Sequence, residues 1–371
     1  MKQTHFPTTT EGMTPDWATE TLKTGGTINN ECVTELHISP IGEQGQTSQV
    51  LRLNLSYDSP SDNLPSSIIA KVASSHPEVR AAQQALGSYS REIFFYQDFG
   101  TDAGISIPYC FGANIDLESG DFLLLIEDMS QCRVGDLWSS KITDIHQATE
   151  AMAHMHAKWW CDSTLREYKW LPQHDDQGFY QLLGNAYQSA LPIALQKYPD
   201  HFAGYLQSLA LQLSDNFESW IRYEPGAPFT LVHNDFHPKQ LFFPTALGGR
   251  FAVFDWQSVI AGRPTFDLSR LLLKGLRPAE LRAHKDELLK LYTSILKDSG
   301  INISLETVTA EWRSSLLHTL AYTVFVLART DVKELNTAAS TQGVDYRERL
   351  ISDLAESLAD YHVHDTLTDY S

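Results

Sequence analysis

The chain has 371 residues, of which 42% are hydrophobic and 20% charged, a composition typical of a globular protein long enough for two lobes. No run of eighteen apolar residues occurs and the first 30 residues hold no apolar signal core, so we expect a cytoplasmic protein without a membrane segment. The 28 basic and 46 acidic residues give a net charge of −18, which argues against nucleic acid or an anionic membrane as a partner and leaves a cationic small molecule open.

A β-hairpin is predicted after an irregular lead-in that holds one short helix over 16–23. Residues 34–57, TELHISPIGEQGQTSQVLRLNLSY, alternate apolar and polar residues on both sides of a turn of small residues, which is typical of a hairpin. The turn runs from Gly42 to Ser48. Small side chains in a turn allow a ligand to approach the backbone closely.

One lysine interrupts the next apolar strand, SSIIAKVA at 66–73. Lys71 needs either solvent or an anionic partner there, because a buried ammonium group is costly. The helix predicted over 77–99 offers Glu92, which lies among bulky apolar neighbours in SREIFFYQDF. Glu78 competes, but it lies in the first turn, where the helix dipole already favours an acidic residue.

Two further elements precede the main motif. The apolar run DFLLLIEDM predicts a strand over 121–129 that ends the first lobe, and the periodic pattern over 143–162 predicts an amphipathic helix ending in AMAHMHAKWW. His154 and His156 in that helix are two residues apart, so they do not share a helical face. We therefore do not expect them to form a metal site.

The strongest chemical signal lies at 231–257, where LVHNDFHPKQLFF is followed after seven residues by FAVFDWQ. Asp235 and Asp255 each come shortly after a short apolar run, so both carboxylates are expected to emerge from strand ends. An Asp that caps a turn and another that ends a strand would explain either motif alone. That explanation fits the two motifs together less easily.

This pair of motifs resembles the aminoglycoside phosphotransferase and choline kinase superfamily, and within it the ecdysteroid-kinase-like branch. The catalytic loop of that family reads His-x-Asp with an Asn five residues after the Asp, and its metal strand reads Asp-Trp-Glu or Asp-Phe-Gln. The chain matches the loop with His233 and Asp235 and the strand with DWQ at 255–257. It departs from the family pattern at Gln240, where the family has Asn.

The resemblance implies transfer of the γ-phosphoryl group of ATP to a hydroxyl of a small molecule. Asp235 would orient or deprotonate that hydroxyl, while Gln240 and Asp255 would hold Mg²⁺, with Mn²⁺ as the alternative ion. Lys71, paired with Glu92 as in the family, would position the phosphates. The predicted catalytic residues are therefore Asp235 and Lys71, and the predicted metal ligands are Gln240 and Asp255.

The resemblance also implies nucleotide contacts outside the two motifs. The hairpin turn, with Gly45 and Ser48, would cover the phosphates through backbone N–H groups. Glu127 and Met129 lie where the interlobe hinge of the family binds the adenine edge through its backbone. These four residues, with Lys71 and Glu92, make up the predicted nucleotide site.

Asp267, in FDLSRLL, resembles a family Asp that braces the catalytic loop through backbone hydrogen bonds. The alternative, compatible with this role, is an N-cap of a helix that begins at Leu268. The remaining sequence predicts helices over 278–299, over 304–330 and near 345–361.

The fold class implied is α+β, a protein-kinase-like two-lobe fold. A small antiparallel-sheet N-lobe, residues 1–128, would bind the nucleotide, and a mainly helical C-lobe, residues 129–371, would hold the catalytic loop and the acceptor pocket.

Three other functions remain open at this level. Gln240 in place of Asn invites a nucleotide-binding pseudokinase or regulatory module with little or no turnover. A protein kinase is disfavoured, because no APE segment follows Asp255 and the chain reaches Asp267 within twelve residues. A nucleotidyl transferase would leave AMP on its product. The acceptor, the choice between ATP and GTP and the oligomeric state are left open by the sequence.

Overall fold

The computed structural model describes residues 6–41, 47–59, 61, 63–137, 140–222, 226–246, 248–330, 345 and 347–368. The chain forms two compact units. The first combines the chain up to Arg133 with Phe242–Val259, and the second combines Val134–Leu241 with the chain from Ile260 onward. Asp255 therefore belongs to the first unit, while the assignment of residues 1–128 and 129–371 as functional lobes stays a prediction.

The first unit is built on a five-stranded antiparallel sheet with the strand order β1-β2-β3-β5-β4. Its strands are β1 (Val33–Pro40), β2 (Ser48–Tyr57), β3 (Ser67–Ala73), β4 (Cys110–Ile115) and β5 (Phe122–Glu127). The predicted hairpin is present as β1 and β2, and the backbone N–H of Ile41 donates to the carbonyl of Val50 at 2.9 Å. The edge strand β4 was not predicted from the sequence.

Helix α1 (Pro15–Thr24) covers one face of this sheet. Thr14 caps it, since its hydroxyl oxygen accepts a hydrogen bond from the Trp17 N–H at 3.2 Å, and Pro15 fits the first helical position, where no N–H is needed. Ala18 and Leu22 belong to the same buried cluster as apolar side chains of β2, β3 and β5. Burial of this apolar face stabilises the first unit.

The single helix predicted over 77–99 is wrong, because the chain forms two helices there, α2 (Pro77–Ala85) and α3 (Ser88–Asp98). Gly87 separates them with a φ of 67° and a ψ of 18°, which is a left-handed conformation that ends a right-handed helix. The separation leaves α3 as a short, largely buried helix. Its buried residues include Glu92.

The second unit is mainly helical and supports a short two-stranded sheet, β7 (Thr230–Val232) paired antiparallel with β10 (Ile260–Gly262). Among its helices, α7 packs closely on α9, and α4 on α8. Its described helices are α4 (Ile142–Lys158), α5 (Gln177–Lys197), α6 (Tyr205–Ile221), α7 (Thr265–Gly275), α8 (Pro278–Asp298), α9 (Leu305–Arg329), α10 (Asp353–Asp360) and α11 (Asp365–Thr368).

Three very short strands, β6 (Arg133–Val134), β8 (Leu241–Phe243) and β9 (Ala252–Val253), form a further sheet in the order β6-β8-β9. The helix predicted near 345–361 begins instead as a π-helical turn, Glu348–Ser352, and continues as α10. In the described part of the chain, no helix combines the length and the apolar character needed to cross a membrane.

Candidate active site

Strand β3 carries Lys71 in the interior of the first unit, where the lysine is only 8% exposed. Its ammonium nitrogen Nζ lies 3.0 Å from Oε1 and 2.8 Å from Oε2 of Glu92 on α3. The same nitrogen lies 2.8 Å from Oδ1 of Asp255. The predicted contact between Lys71 and Glu92 is therefore present, and Asp255 joins it as a second carboxylate.

The three groups of this cluster determine one another's ionisation. Burial alone would lower the pKa of Lys71, but Asp255 and Glu92 raise it above its usual value, so the lysine is charged. Burial and the charge of Asp255 raise the pKa of Glu92 against the opposing effect of Lys71. One cation thus serves two carboxylates in a place with little solvent.

The DWQ segment is held by aromatic packing. The fully buried ring of Trp256 stacks on Phe95 of α3 with 3.8 Å between ring centroids and an interplanar angle of 8°, and its Nε1 donates to the carbonyl of Val253 at 3.2 Å. Asp255 itself has left-handed backbone angles, φ 65° and ψ 62°. This conformation is rare for a residue with a side chain and is frequent at functional sites.

The second unit holds the other motif in the loop after β7. Asn234 has a φ of 68°, and the backbone N–H groups of His233 and Asn234 donate to the Asp267 carboxylate at 2.8 Å and 2.7 Å. The predicted bracing role of Asp267 is confirmed. The N-cap prediction is wrong, because α7 begins at Thr265 and Asp267 lies inside its first turn.

The brace extends through a fully buried histidine. His156 of α4 lies with its Nε2 3.3 Å from Oδ2 of Asp267 and its Nδ1 2.8 Å from the hydroxyl of Tyr292. The hydroxyl of Thr230 donates to the backbone carbonyl of His156 at 2.8 Å. The loop that carries Asp235 is therefore fixed by a continuous hydrogen-bond network from α4, α7 and α8.

Asp235 pairs with Arg270 of α7, whose Nε donates to its Oδ1 at 2.5 Å and whose Nη2 contacts the same oxygen. His237 Nε2 lies 3.5 Å from Oδ1, and Gln240 Nε2 donates to Oδ2 at 3.3 Å. Burial would raise the pKa of the Asp235 carboxyl, but Arg270, with His237 and His233, lowers it to about 2. The carboxylate is thus ionised at any ordinary pH and is a weak base.

The predicted hinge residues are held by two arginines of the first unit. Arg250 donates through Nη2 to Oε2 of Glu127 at 2.6 Å and contacts the sulfur of Met129 at 3.0 Å, while Arg52 pairs with Asp128 at 2.7 Å. The Glu127 N–H donates to the carbonyl of Tyr109, and the Met129 carbonyl accepts from the Cys132 N–H. Backbone recognition of adenine at this segment would therefore use groups other than the Glu127 N–H and the Met129 carbonyl.

The remaining predicted residues have different outcomes. Ser48 begins β2, opposite Ala73 of β3, whereas Gly45 lies outside the described residues. Within the described ranges, no three or more His, Cys, Asp or Glu side chains are grouped so that they could hold a metal. The donors assigned to Mg²⁺, the Asp255 carboxylate and the Gln240 amide, are hard oxygen ligands of the kind this ion prefers, and further oxygens would come from phosphate or water.

Sequence reasoning gave no role to Arg270, which proves to be the main partner of Asp235. A signal was available in FDLSRLL, because Arg270 follows Asp267 by three residues and therefore lies on the same side of α7. Asp267 binds the backbone of residues 233 and 234, so the next turn of that face is well placed for residue 235.

Comparison with known proteins supports the resemblance inferred from the motifs. The model of the ecdysteroid kinase-like family matches residues 43–303. Among curated proteins, no sequence matches the chain.

Solved structures of small-molecule kinases resemble this one. A Ralstonia eutropha protein described as an aminoglycoside phosphotransferase has 16% identity and a TM-score of 0.52, with 92% of this chain and 97% of that chain covered. A choline kinase from Cryptosporidium parvum has 11% identity and a TM-score of 0.55, with 90% of each chain covered. An amicoumacin kinase in complex with AMP-PNP and Ca²⁺ has 16% identity and a TM-score of 0.51, with 92% and 96% covered. The predicted α+β, protein-kinase-like fold class is confirmed.

Proposed function

The chain belongs to the ecdysteroid kinase-like family, and from this premise we propose that it transfers the γ-phosphoryl group of ATP to a hydroxyl group of a small molecule. One observation carries the proposal: Nζ of the buried Lys71 lies between the carboxylates of Glu92 and Asp255. A lysine on a strand, fixed by a carboxylate from the next helix, is the arrangement that kinases use to place a charge on nucleotide phosphates.

In this proposal the first unit binds the nucleotide. Lys71 donates to the phosphates, Glu92 holds Lys71 in place, and Asp255 provides a carboxylate oxygen for Mg²⁺. When bound, the ion would neutralise charge on the phosphates. Gly45 and Ser48 of the hairpin and the backbone at Glu127 and Met129 complete the proposed nucleotide contacts.

The second unit acts on the acceptor in this proposal. Asp235 accepts a hydrogen bond from the attacking hydroxyl and orients it, and Gln240 contributes its amide oxygen as the second protein ligand of the metal. A carboxyl with a pKa of about 2 takes up a proton poorly at neutral pH. Asp235 therefore serves to orient the hydroxyl, which loses its proton to solvent as its oxygen bonds to the γ-phosphorus and the bond from that phosphorus to the leaving ADP oxygen breaks.

A screen with two readouts tests the function. Thermal unfolding is followed for the protein with MgATP, with Mg²⁺ and AMP-PNP, and with each member of a library of hydroxylated small molecules, because a ligand that binds the folded state raises Tm. ATP consumption and phosphate transfer to the product are then measured for each hit. We expect at least one acceptor to be phosphorylated by the wild type and not by Asp235→Asn.

The alternatives give different results in the same screen. Nucleotide binding without turnover of any acceptor would contradict the proposal and favour the regulatory module. AMP on the product would assign a nucleotidyl transferase. The absence of nucleotide binding would contradict both the kinase and the pseudokinase interpretations.

A further inference from the structure

The carboxylate of Asp235 has two oxygens with different surroundings. Oδ1 contacts both Nε and Nη2 of Arg270 and lies 3.5 Å from His237 Nε2. Oδ2 accepts a single, longer hydrogen bond of 3.3 Å from the Gln240 amide. A carboxylate bound in this way cannot rotate freely, because rotation would remove Oδ1 from a charged donor.

The guanidinium of Arg270 is itself held firmly. The residue is 4% exposed, and its guanidinium carbon lies 4.2 Å from the centroid of the Tyr322 ring on α9, a cation–π contact. The hydroxyl of Tyr322 in turn accepts from the Asn234 side chain at 3.2 Å. Arg270 therefore connects α7 and α9 to the residue whose side chain the proposed reaction uses.

The ion pair of Arg270 and Asp235 is not needed to hold the loop in place. The loop backbone is already fixed by Asp267, which binds the N–H groups of His233 and Asn234. A buried ion pair is a poor source of stability, because desolvation of both charges offsets most of their attraction. What the pair provides is control over the position and the charge of one carboxylate.

We propose that Arg270 is a positioning residue, which fixes Oδ1 of Asp235 so that Oδ2 is the atom that accepts the hydrogen bond of the acceptor hydroxyl. The role rests on the proposed phosphotransferase function. Arg270 does not touch the reacting atoms in this assignment. On substrate binding the hydroxyl takes the place that the Gln240 amide nitrogen has at Oδ2.

The test compares three single substitutions with an acceptor that the wild type phosphorylates. Arg270→Gln removes the charge, Arg270→Lys keeps it without the planar fork, and Arg263→Gln is the matched control. Arg263 is also a buried arginine of the second unit, but its Nη2 donates to the carbonyls of Trp220 and Arg222. The kcat, the KM for ATP and the Tm are measured for each protein.

For Arg270→Gln we expect kcat to fall about 100-fold, the loss typical of a misplaced reactive group, with KM for ATP within about twofold of wild type. Arg270→Lys should recover part of kcat, because it keeps the positive charge at Oδ1 without the planar fork. Arg263→Gln should lower Tm and leave kcat and KM for ATP near wild type.

Other outcomes separate the two proposals. If the wild type turns over and Arg270→Gln keeps its kcat, Arg270 has no positioning role. If the wild type phosphorylates no acceptor, the proposed function and this role are both refuted. Should Arg270→Gln fail to fold, Arg270→Lys decides: a lower kcat with KM for ATP near wild type supports the role, and an unchanged kcat refutes it.

Discussion

The two motif aspartates, one in each unit, both contact a buried cation, but the charge balance around them differs. In the first unit one ammonium group, that of Lys71, faces the two carboxyl groups of Glu92 and Asp255. In the second unit the guanidinium of Arg270 is directed at Asp235. The flexible side chain of Lys71 pairs with two carboxylates in the first unit, and the planar, rigid guanidinium of Arg270 pairs with one carboxylate in the second unit.

This difference suits the two sites to different tasks. Two carboxyl groups around one lysine favour a further cation nearby, such as the metal ion that accompanies a nucleotide. A carboxylate that is neutralised by an arginine and held in one orientation is suited to hydrogen bonding and unsuited to taking up a proton. Four experiments can break or sharpen this division.

The largest effects are expected from substituting Asp235 and Asp255 one at a time. Asp235→Asn should lower kcat by about 10³-fold, because the acceptor hydroxyl loses the carboxylate oxygen that orients it, and leave MgATP affinity near wild type. Asp255→Ala should abolish the dependence of nucleotide binding on Mg²⁺. Calorimetry with and without Mg²⁺ and an assay of ATP consumption measure both. An equal loss of nucleotide affinity in the two variants would contradict the division of roles.

The second effect concerns Lys71. Lys71→Met should lower kcat/KM at least about tenfold, on the order of 1.4 kcal/mol of transition-state stabilisation, because it removes a charge directed at the phosphates. The single variant also leaves Glu92 buried without its cation. The double variant Lys71→Met/Glu92→Gln should therefore unfold at a higher temperature than the single variant and remain equally inactive. An unchanged kcat/KM in a variant with normal Tm would reduce Lys71 to a structural residue.

The sequence was sufficient to place three polar side chains on their elements. Lys71 lies within strand β3, and Asp235 and Asp255 follow the short strands β7 and β9, as the apolar runs predicted. The pairing of Lys71 with Asp255 was not predictable in this way, because it joins residues 184 positions apart and depends on the left-handed backbone at Asp255. Local patterns fix the element on which a side chain lies, and packing between elements fixes which side chains meet.

Arg270 shows the same limit in the second unit. Its motif was recognised only for Asp267, since a backbone-binding carboxylate is a feature of the family and an arginine on a helix is usually solvated. Its partner is 35 residues away along the chain. The break at Gly87 is a different kind of miss, because a glycine within a helical pattern was a local signal that favoured two helices.

The third experiment applies the Lys71→Met substitution to the buried lysine of the second unit, Lys274. Burial, Arg270 and Arg349 lower the pKa of Lys274 well below its usual value, so folding disfavours the charged form of this side chain relative to the unfolded chain. Its Nζ donates to the hydroxyl of Thr323 at 3.0 Å, and that hydroxyl keeps its own bond to the Thr319 carbonyl. Lys274→Met should thus raise the free energy of unfolding at pH 7.

The sign of the pH dependence checks this explanation. Between the two pKa values the unfolded chain binds more protons, so the wild type gains stability as pH rises toward about 10.4. The advantage of Lys274→Met should be largest near neutral pH and shrink at pH 10, as urea unfolding at both pH values would show. A wild type that is more stable than the variant by the same amount at both pH values would contradict a lowered pKa of Lys274 in the folded protein.

The smallest effect is expected at Gln240, where the chain departs from the family pattern. A Gln places its amide oxygen one methylene farther from the backbone than an Asn, and Mg²⁺ tolerates little deviation from octahedral geometry at about 2.0–2.1 Å. In this structure the Gln240 amide nitrogen donates to Oδ2 of Asp235, which gives the side chain a defined orientation. We expect Mn²⁺, which accepts the same kinds of oxygen ligand, to support turnover at least as well as Mg²⁺.

Gln240→Asn should shift this preference toward Mg²⁺ by a few-fold, because the shorter side chain restores the reach found in the family. Calorimetry of ATP binding with each metal gives a readout that does not depend on turnover, and ATP consumption gives the second. Asp235→Asn is the control that separates the two contacts of Gln240, since it changes the partner of the amide nitrogen and leaves the amide oxygen in place. A wild type that strictly requires Mg²⁺, with metal affinities unaffected by Gln240→Asn, would show that Gln240 is not a metal ligand.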